Sequence, residues 1–130
     1  MDMKLSAADE EFRVMIREFL DESLTDALRD GARKRTSLWQ DLETAMTWQR
    51  ILHAKGWAAP DWPQEYGGTD WSLVQRYIFA QECVRAGAPS LIPMSLKMCG
   101  PMLIGYGTDE QKAQYLPRIP SRAPAPTWLR

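Results

Sequence analysis

The side chains with chemical capability are few and scattered. The chain carries one histidine, His53, and two cysteines, Cys83 and Cys99. Two thiols with no second pair and a single imidazole do not make a metal-ligand set. Both cysteines fall in apolar helical patterns, where a free buried thiol is expected. His53 has no serine or cysteine at nucleophile–base spacing, and its place near a helix end suits a surface residue rather than a catalytic one. The carboxylates lie mostly on helix exteriors, where a solvated face is expected. Glu82 is the exception, because it neighbours an apolar stripe. Its expected role is a buried pair with an arginine rather than a catalytic base. The patterns G-x-G-x-x-G, P-loop, H-E-x-x-H and G-x-S-x-G are absent. The residues alone therefore assemble no self-contained active site.

Composition narrows the class further. Sixteen basic and 17 acidic residues are evenly mixed, for a net charge of −1, so no concentrated positive field exists for nucleic acid. The cluster Arg33-Lys34-Arg35 is short and reads as a solvated loop. The N-terminus, MDMKLSAADEEF, lacks the apolar core of a signal peptide, and no run is long enough to span a membrane. The cytoplasm is the expected compartment. At 130 residues with 45% hydrophobic content, one domain with its own core is expected.

The elements that must position these side chains are helices. Ser6-Ala-Ala-Asp9 is a capping box opening a first helix, with Phe12, Ile16, Phe19 and Leu20 on one face and Arg13 and Arg17 on the opposite, solvated one. Residues 25–40 are weakly patterned, and Asp30-Gly31 predicts a break, so a mobile and at most partly helical connection is expected. A second helix runs from about Asp41 to Lys55 on Leu42, Ala45, Trp48 and Leu52, and Gly56 fits the left-handed position beyond its end. Ser72-Leu-Val-Gln75 opens a third helix to about Ala86, with Leu73, Tyr77, Ala80 and Val84 on one face and Ile78 widening it. A fourth covers about Pro93 to Tyr106 and is apolar on almost every side, which demands burial all round. In so small a chain, something outside it must cover part of that helix. Thr108-Asp-Glu-Gln111 opens a short fifth helix through Tyr115-Leu116. No strand pattern rises above noise. The fold class is all-α, a bundle of four to five helices.

Between the second and third helices lies Gly56 to Gly68. Its three glycines and two prolines exclude a regular helix, and Trp57, Trp62 and Tyr66 mark it as a long packed aromatic loop.

The order of these features resembles the N-terminal helical domain of acyl-CoA dehydrogenases. The residues carrying the resemblance are Leu5-Ser6 with the Phe12 helix, Gly56-Trp57 leading to Pro60, Pro63-Gln-Glu-Tyr-Gly-Gly68, Gln81-Glu82-Cys83-Val84-Arg85, and Gly107-Thr-Asp-Glu-Gln-Lys-Ala-Gln-Tyr-Leu-Pro117. They are collinear over roughly residues 3–119. Trp62 to Gly68 with Gln75-Arg76-Tyr77 resembles bacterial members described as pimeloyl-CoA or steroid side-chain dehydrogenases, some of which work as heteromeric pairs. The resemblance implies α,β-dehydrogenation of an acyl-CoA thioester by FAD, with electrons passed to an electron-transfer flavoprotein. It also implies a homo- or hetero-oligomer.

In that family the flavin lies between a middle β domain, a C-terminal helical domain and a neighbouring subunit. A glutamate base sits in most members in the C-terminal domain. The chain is thus expected to be a truncated N-terminal domain, residues 1–118, inactive alone, with neither cofactor-binding nor catalytic residues. What it is expected to carry is one wall of the acyl-chain pocket, at Met94, Ser95 and Met98 by resemblance; plain core packing is the competing reading of the same residues. From another class, the alternative is a non-catalytic helical module or partner subunit that docks on a dehydrogenase.

Residues 119–130 change character, with three prolines in the stretch and no periodicity, and read as an irregular tail. Synonymous codons for Ile119 to Arg130 can be chosen so that, read one base earlier after a preceding T, they encode Tyr-Ser-Glu-Pro-Gly-Ala-Gly-Ser-Asp-Leu-Ala-Ser. That is the flavin-contacting signature that, by the resemblance, follows Tyr-Leu-Pro after a short segment, which a deletion after Pro117 would have removed. The tail is therefore expected to be a frame-shifted remnant of that signature.

Overall fold

Three serine or threonine side chains set where helices begin. In the computed structural model, which describes residues 4–36 and 38–121, Ser6 Oγ accepts from Asp9 N at 3.1 Å, Ser72 Oγ from Gln75 N at 3.1 Å and Thr108 Oγ1 from Gln111 N at 3.2 Å. In each case the third helical residue reaches back to the cap's own N–H, completing the predicted capping box. The elements are α1 (Ala7–Ser23), α2 (Asp26–Arg33), α3 (Leu42–Lys55), α4 (Leu73–Ala86), a π-helical segment Met94–Cys99 continuing into α5 (Gly100–Tyr106), α6 (Asp109–Tyr115) and α7 (Arg118–Ser121). No strand occurs among the described residues. The fold is all-α, as the sequence predicts.

Two helices exceed the predicted count. The weakly patterned stretch contains α2, capped by Thr25, whose Oγ1 accepts from Leu28 N. Gly31 does not end this helix. A Cβ there would lie 2.7 Å from Thr44 Oγ1 of α3, so the glycine permits close approach of α2 to α3. The packing outweighs glycine's poor helix propensity. Arg29 Nε also donates to Ala86 O at 3.3 Å, tying α2 to the end of α4. The other addition, α7, takes in Ile119–Ser121, the start of the predicted irregular tail. Gln49, fully buried on α3, donates to the carbonyls of Ile119 at 2.7 Å and Pro120 at 3.0 Å. Residues 122–130, the rest of that stretch, lie outside the described residues.

The core forms where α1, α3 and α4 converge on the loop. Phe12, Ile16 and Leu20 of α1 pack with Trp48 and Leu52 of α3 and Ile78 and Phe79 of α4. Trp57 is the hub of the aromatic cluster, with ring centroids 4.7 Å from Phe19, 5.2 Å from Trp71 and 6.0 Å from Phe79 in edge-on arrangements. Each such pair adds about 0.5–1.5 kcal/mol beyond area burial. The loop is therefore packed, as its aromatics predict. One helical turn does form in it, a 3₁₀ turn at Gln64–Tyr66 ended by Gly67 at φ 92°. Gly56 closes α3 in the left-handed region at φ 83°, as predicted.

On α4 the buried face is centred to one side of the predicted one. Leu73, Tyr77 and Val84 are exposed, Val84 by 81%. Ile78, which widens the predicted face, is buried, and Phe79 and Glu82 are buried beside it. The helix carries apolar residues on both sides, so periodicity could not choose between them. The α1 interface chose, by burying the face that holds Glu82.

Candidate functional site

Glu82 is 3% exposed, and its carboxylate is filled by arginines from α1. Arg17 Nε donates to Oε2 at 2.8 Å and Arg17 Nη2 to Oε1 at 3.0 Å, a fork-on-fork pair. Arg13 Nε lies 3.6 Å from Oε1. The hydrogen bonds from Arg17 hold the Glu82 carboxyl below its usual value against the opposing effect of burial. Glu82 is the predicted buried ion pair. Cys83 beside it is a largely enclosed thiol pushed up to about 12 by burial and by the Glu82 charge, whereas Cys99 is exposed, not buried as its pattern predicts. His53 is exposed in the last turn of α3. No group of histidine, cysteine and carboxylate side chains among the described residues could hold a metal ion.

The segment that the sequence singles out, Met94 to Met98, has an unusual backbone. It is π-helical, and the Gly100 N–H closes its register on Ser95 O, five residues back. The next carbonyl, Leu96 O, would in this register accept from residue 101, but residue 101 is proline and has no N–H. Trp62 of the aromatic loop supplies the donor: its indole Nε1–H reaches Leu96 O at 2.8 Å. Trp62, Leu96, Ala59 and Leu116 are buried together as a second small core.

This backbone sets the exposed surface. Met94, Met98, Met102 and Tyr106 are 62%, 65%, 57% and 91% exposed, a stripe at four-residue spacing. Leu96 is buried and Leu103 and Ile104 pack against the second core. The helix predicted to be buried all round is thus covered on one side only by the described residues. Ser95 is half-buried, and its Oγ is enclosed without a hydrogen-bond partner.

Beside the segment lies a cleft of about 370 Å³ between the loop, α4 and the start of the π-helix. Trp57, Phe79, Ala80, Leu91 and Leu96 make it mainly apolar, and Asp61, Arg76 and Lys97 stand at one part of its lining. Asp61 pairs with Arg76 Nη1 at 3.7 Å and with Lys97 Nζ. Burial pushes the Lys97 ammonium below its usual value. Met94, Ser95 and Met98 do not line this cleft; Pro93, Leu96 and Lys97 of the same stretch do. Sequence reasoning placed Trp62 in the packed loop but not its bond to Leu96 O, and missed Asp61 and Lys97. Pro101 inside an apolar helical run was the available signal for the irregular backbone.

A flavin dinucleotide needs unpaired N–H groups or free cations for its diphosphate. Here the N-termini of α1, α2, α3, α4 and α6 are capped by their own Ser, Thr or Asp side chains. Glu82 engages Arg13 and Arg17, and Asp61 engages Arg76 and Lys97. These side chains are engaged within the chain.

The sequence profile described as "Acyl-CoA dehydrogenase, N-terminal domain" matches residues 6–122. The chain belongs to the acyl-CoA dehydrogenase family, as an N-terminal helical domain. It is 34% identical over 113 residues to the acyl-CoA dehydrogenase IpdE1 of Mycobacterium tuberculosis, covering 85% of this chain and 29% of that protein. It is 46% identical over 65 residues to FadE26 of the same organism, covering 49% of this chain and 16% of that one. Among solved structures, the Tcur3481-Tcur3483 steroid ACAD superposes with a TM-score of 0.75 at 34% identity, over 93% of this chain and 30% of that one. The ChsE4-ChsE5 complex from Mycobacterium tuberculosis gives a TM-score of 0.71 at 30% identity, over 93% and 29%. The chain thus spans under a third of the length of these relatives. No helix among the described residues is long and apolar enough to cross a membrane.

Proposed function

We propose that residues 1–118 serve as the helical domain of an FAD-dependent acyl-CoA dehydrogenase and form one wall of its acyl-chain pocket with Met94, Ser95 and Met98. The single observation that supports this is the exposed stripe of soft methionine side chains on a π-helical segment, with the unpartnered Ser95 Oγ beside it. Thioethers on unbranched stems adapt to an irregular apolar tail. The parent reaction is α,β-dehydrogenation of an acyl-CoA, with electrons delivered to an electron-transfer flavoprotein. The steroid ACAD neighbour favours an acyl-CoA with a bulky polycyclic tail, and the two-chain ChsE4-ChsE5 complex favours assembly with a like or partner subunit. The flavin site and the base belong to other parts of the family fold, and these 130 residues alone do not catalyse the reaction. The working compartment is the cytoplasm.

The acyl wall is tested in a chimera that joins residues 1–118 to the middle and C-terminal domains of a relative. Met98→Trp should raise KM for acyl-CoA about tenfold or more, with flavin content unchanged, because an indole fills space an apolar tail would occupy. An unchanged KM in a flavin-loaded chimera would count against the wall. Residues 119–130 we read as the family's flavin-contacting signature translated out of frame. The nucleotide sequence decides this: codons that do not encode the signature one base earlier contradict it. The exposed faces of α4 and α5 also suit the alternative, a helical module docked on a partner dehydrogenase; stable capture of one such subunit, with Met98→Trp silent, would favour it.

A further inference from the structure

We propose that Trp62 is a positioning residue for the acyl-facing segment: its indole N–H stands in for the backbone donor that Pro101 lacks, and so holds Met94–Cys99 in the π-helical register that aligns the methionine stripe. The inference rests on the reading of Met94 and Met98 as acyl-facing; the hydrogen-bond substitution itself does not.

In a regular α-helix a step of four residues overshoots a full turn by about 40°, so a stripe at that spacing winds steadily round the helix. A π turn, with i→i+5 bonding, is wider and falls short of a full turn over the same step. One π stretch before α5 therefore reduces the winding of Met94, Met98, Met102 and Tyr106, all four of which are exposed. The wide register has a cost at its C-terminal end, where Leu96 O faces a proline nitrogen. A buried carbonyl without a donor is unfavourable. Leu96 is 4% exposed, so water does not serve it, and the Trp62 indole does so at 2.8 Å.

The indole is held in place from two sides. A Cβ at Gly100 would lie 2.0 Å from Trp62 Cζ2, so the first residue of α5 is glycine where the ring rests on it. A Cβ at Gly68 would lie 1.7 Å from Trp62 O, so the returning loop presses on its backbone. The aromatic loop thereby fixes the backbone of the segment across the second core.

The test is a double-mutant cycle on the 130-residue chain with Trp62→Phe and Pro101→Ala, read by denaturant unfolding. Trp62→Phe keeps an aromatic ring and deletes the donor, and should raise the unfolding equilibrium constant about tenfold. In the Pro101→Ala background residue 101 donates to Leu96 O, so the same change should cost about twofold. Methyl NMR signals of Met94 and Met98 should shift in Trp62→Phe and return in the double variant. Equal losses in both backgrounds, or methyl signals that do not return, would overturn the proposal. Should Trp62→Phe not fold, the Trp62 indole N–H of the unsubstituted chain decides. Exchange at least about a hundredfold slower than free indole supports the bond, and exchange at the free rate overturns it. None of these readouts uses acyl-CoA, so failure of the acyl-wall reading registers separately, in the chimera's KM.

Discussion

Glu82 and its arginines show how a single charged side chain chooses a helix face. Arg17 grips both carboxylate oxygens from α1, and Arg13 stands beside them. Because the folded carboxyl is held below its ordinary value of 4.5, the stability it contributes is fully present above that value and is lost as pH falls through the lower folded one. Glu82→Gln should therefore cost about 1–3 kcal/mol at pH of about 7 and much less at pH of about 3. Thermal unfolding of the two proteins at both pH values checks this. A cost that does not shrink in acid would mean that packing, not the ion pair, makes the contribution. The pairing was legible in the sequence because a glutamate beside an apolar stripe needs a partner. Its partners were not, since Arg13 and Arg17 follow the solvent-face pattern of the first helix and nothing local links positions so far apart.

At the scale of elements, the legible features were those with a local cause. The three capping boxes, the left-handed Gly56 and the packed aromatic loop each follow from a few adjacent residues. The features that escaped have tertiary causes. α2 forms although it contains Gly31, because the glycine admits Thr44. α4 turns its Ile78 and Phe79 side inward, and the π-helical segment takes a hydrogen bond from a tryptophan more than thirty positions away. Of the three proposed acyl-wall residues, sequence could indicate the segment but not the cleft beside it, which Leu96 and Lys97 line instead. Two glycines of α5 separate local from tertiary effects. A Cβ at Gly105 would have nothing within 4 Å, whereas one at Gly100 would meet Trp62. Gly105→Ala should stabilise the chain by up to about 1 kcal/mol through helix propensity. Gly100→Ala should destabilise it by about 1–3 kcal/mol through overlap with the indole. Urea unfolding of both variants measures the contrast, and effects of the same sign would contradict the close packing of Trp62 on α5.

The whole molecule presents more apolar surface than its core requires. One face of α4, with Leu73, Tyr77 and Val84, and the stripe from Met94 to Tyr106 are both exposed among the described residues. The chain buries a sound core around Trp48, Ile78 and Leu52 and still leaves these faces open. That combination fits a folded domain whose working surfaces meet other parts of a larger assembly. In the function proposed above, the acyl wall lies here and the electron chemistry elsewhere. The most direct test is the purified 130-residue chain itself, assayed for a visible flavin spectrum and for dye reduction on addition of acyl-CoA. The expected result is a helical protein with no flavin absorbance and no acyl-CoA-dependent reduction. Bound flavin with turnover of acyl-CoA by the isolated chain would contradict that division of labour.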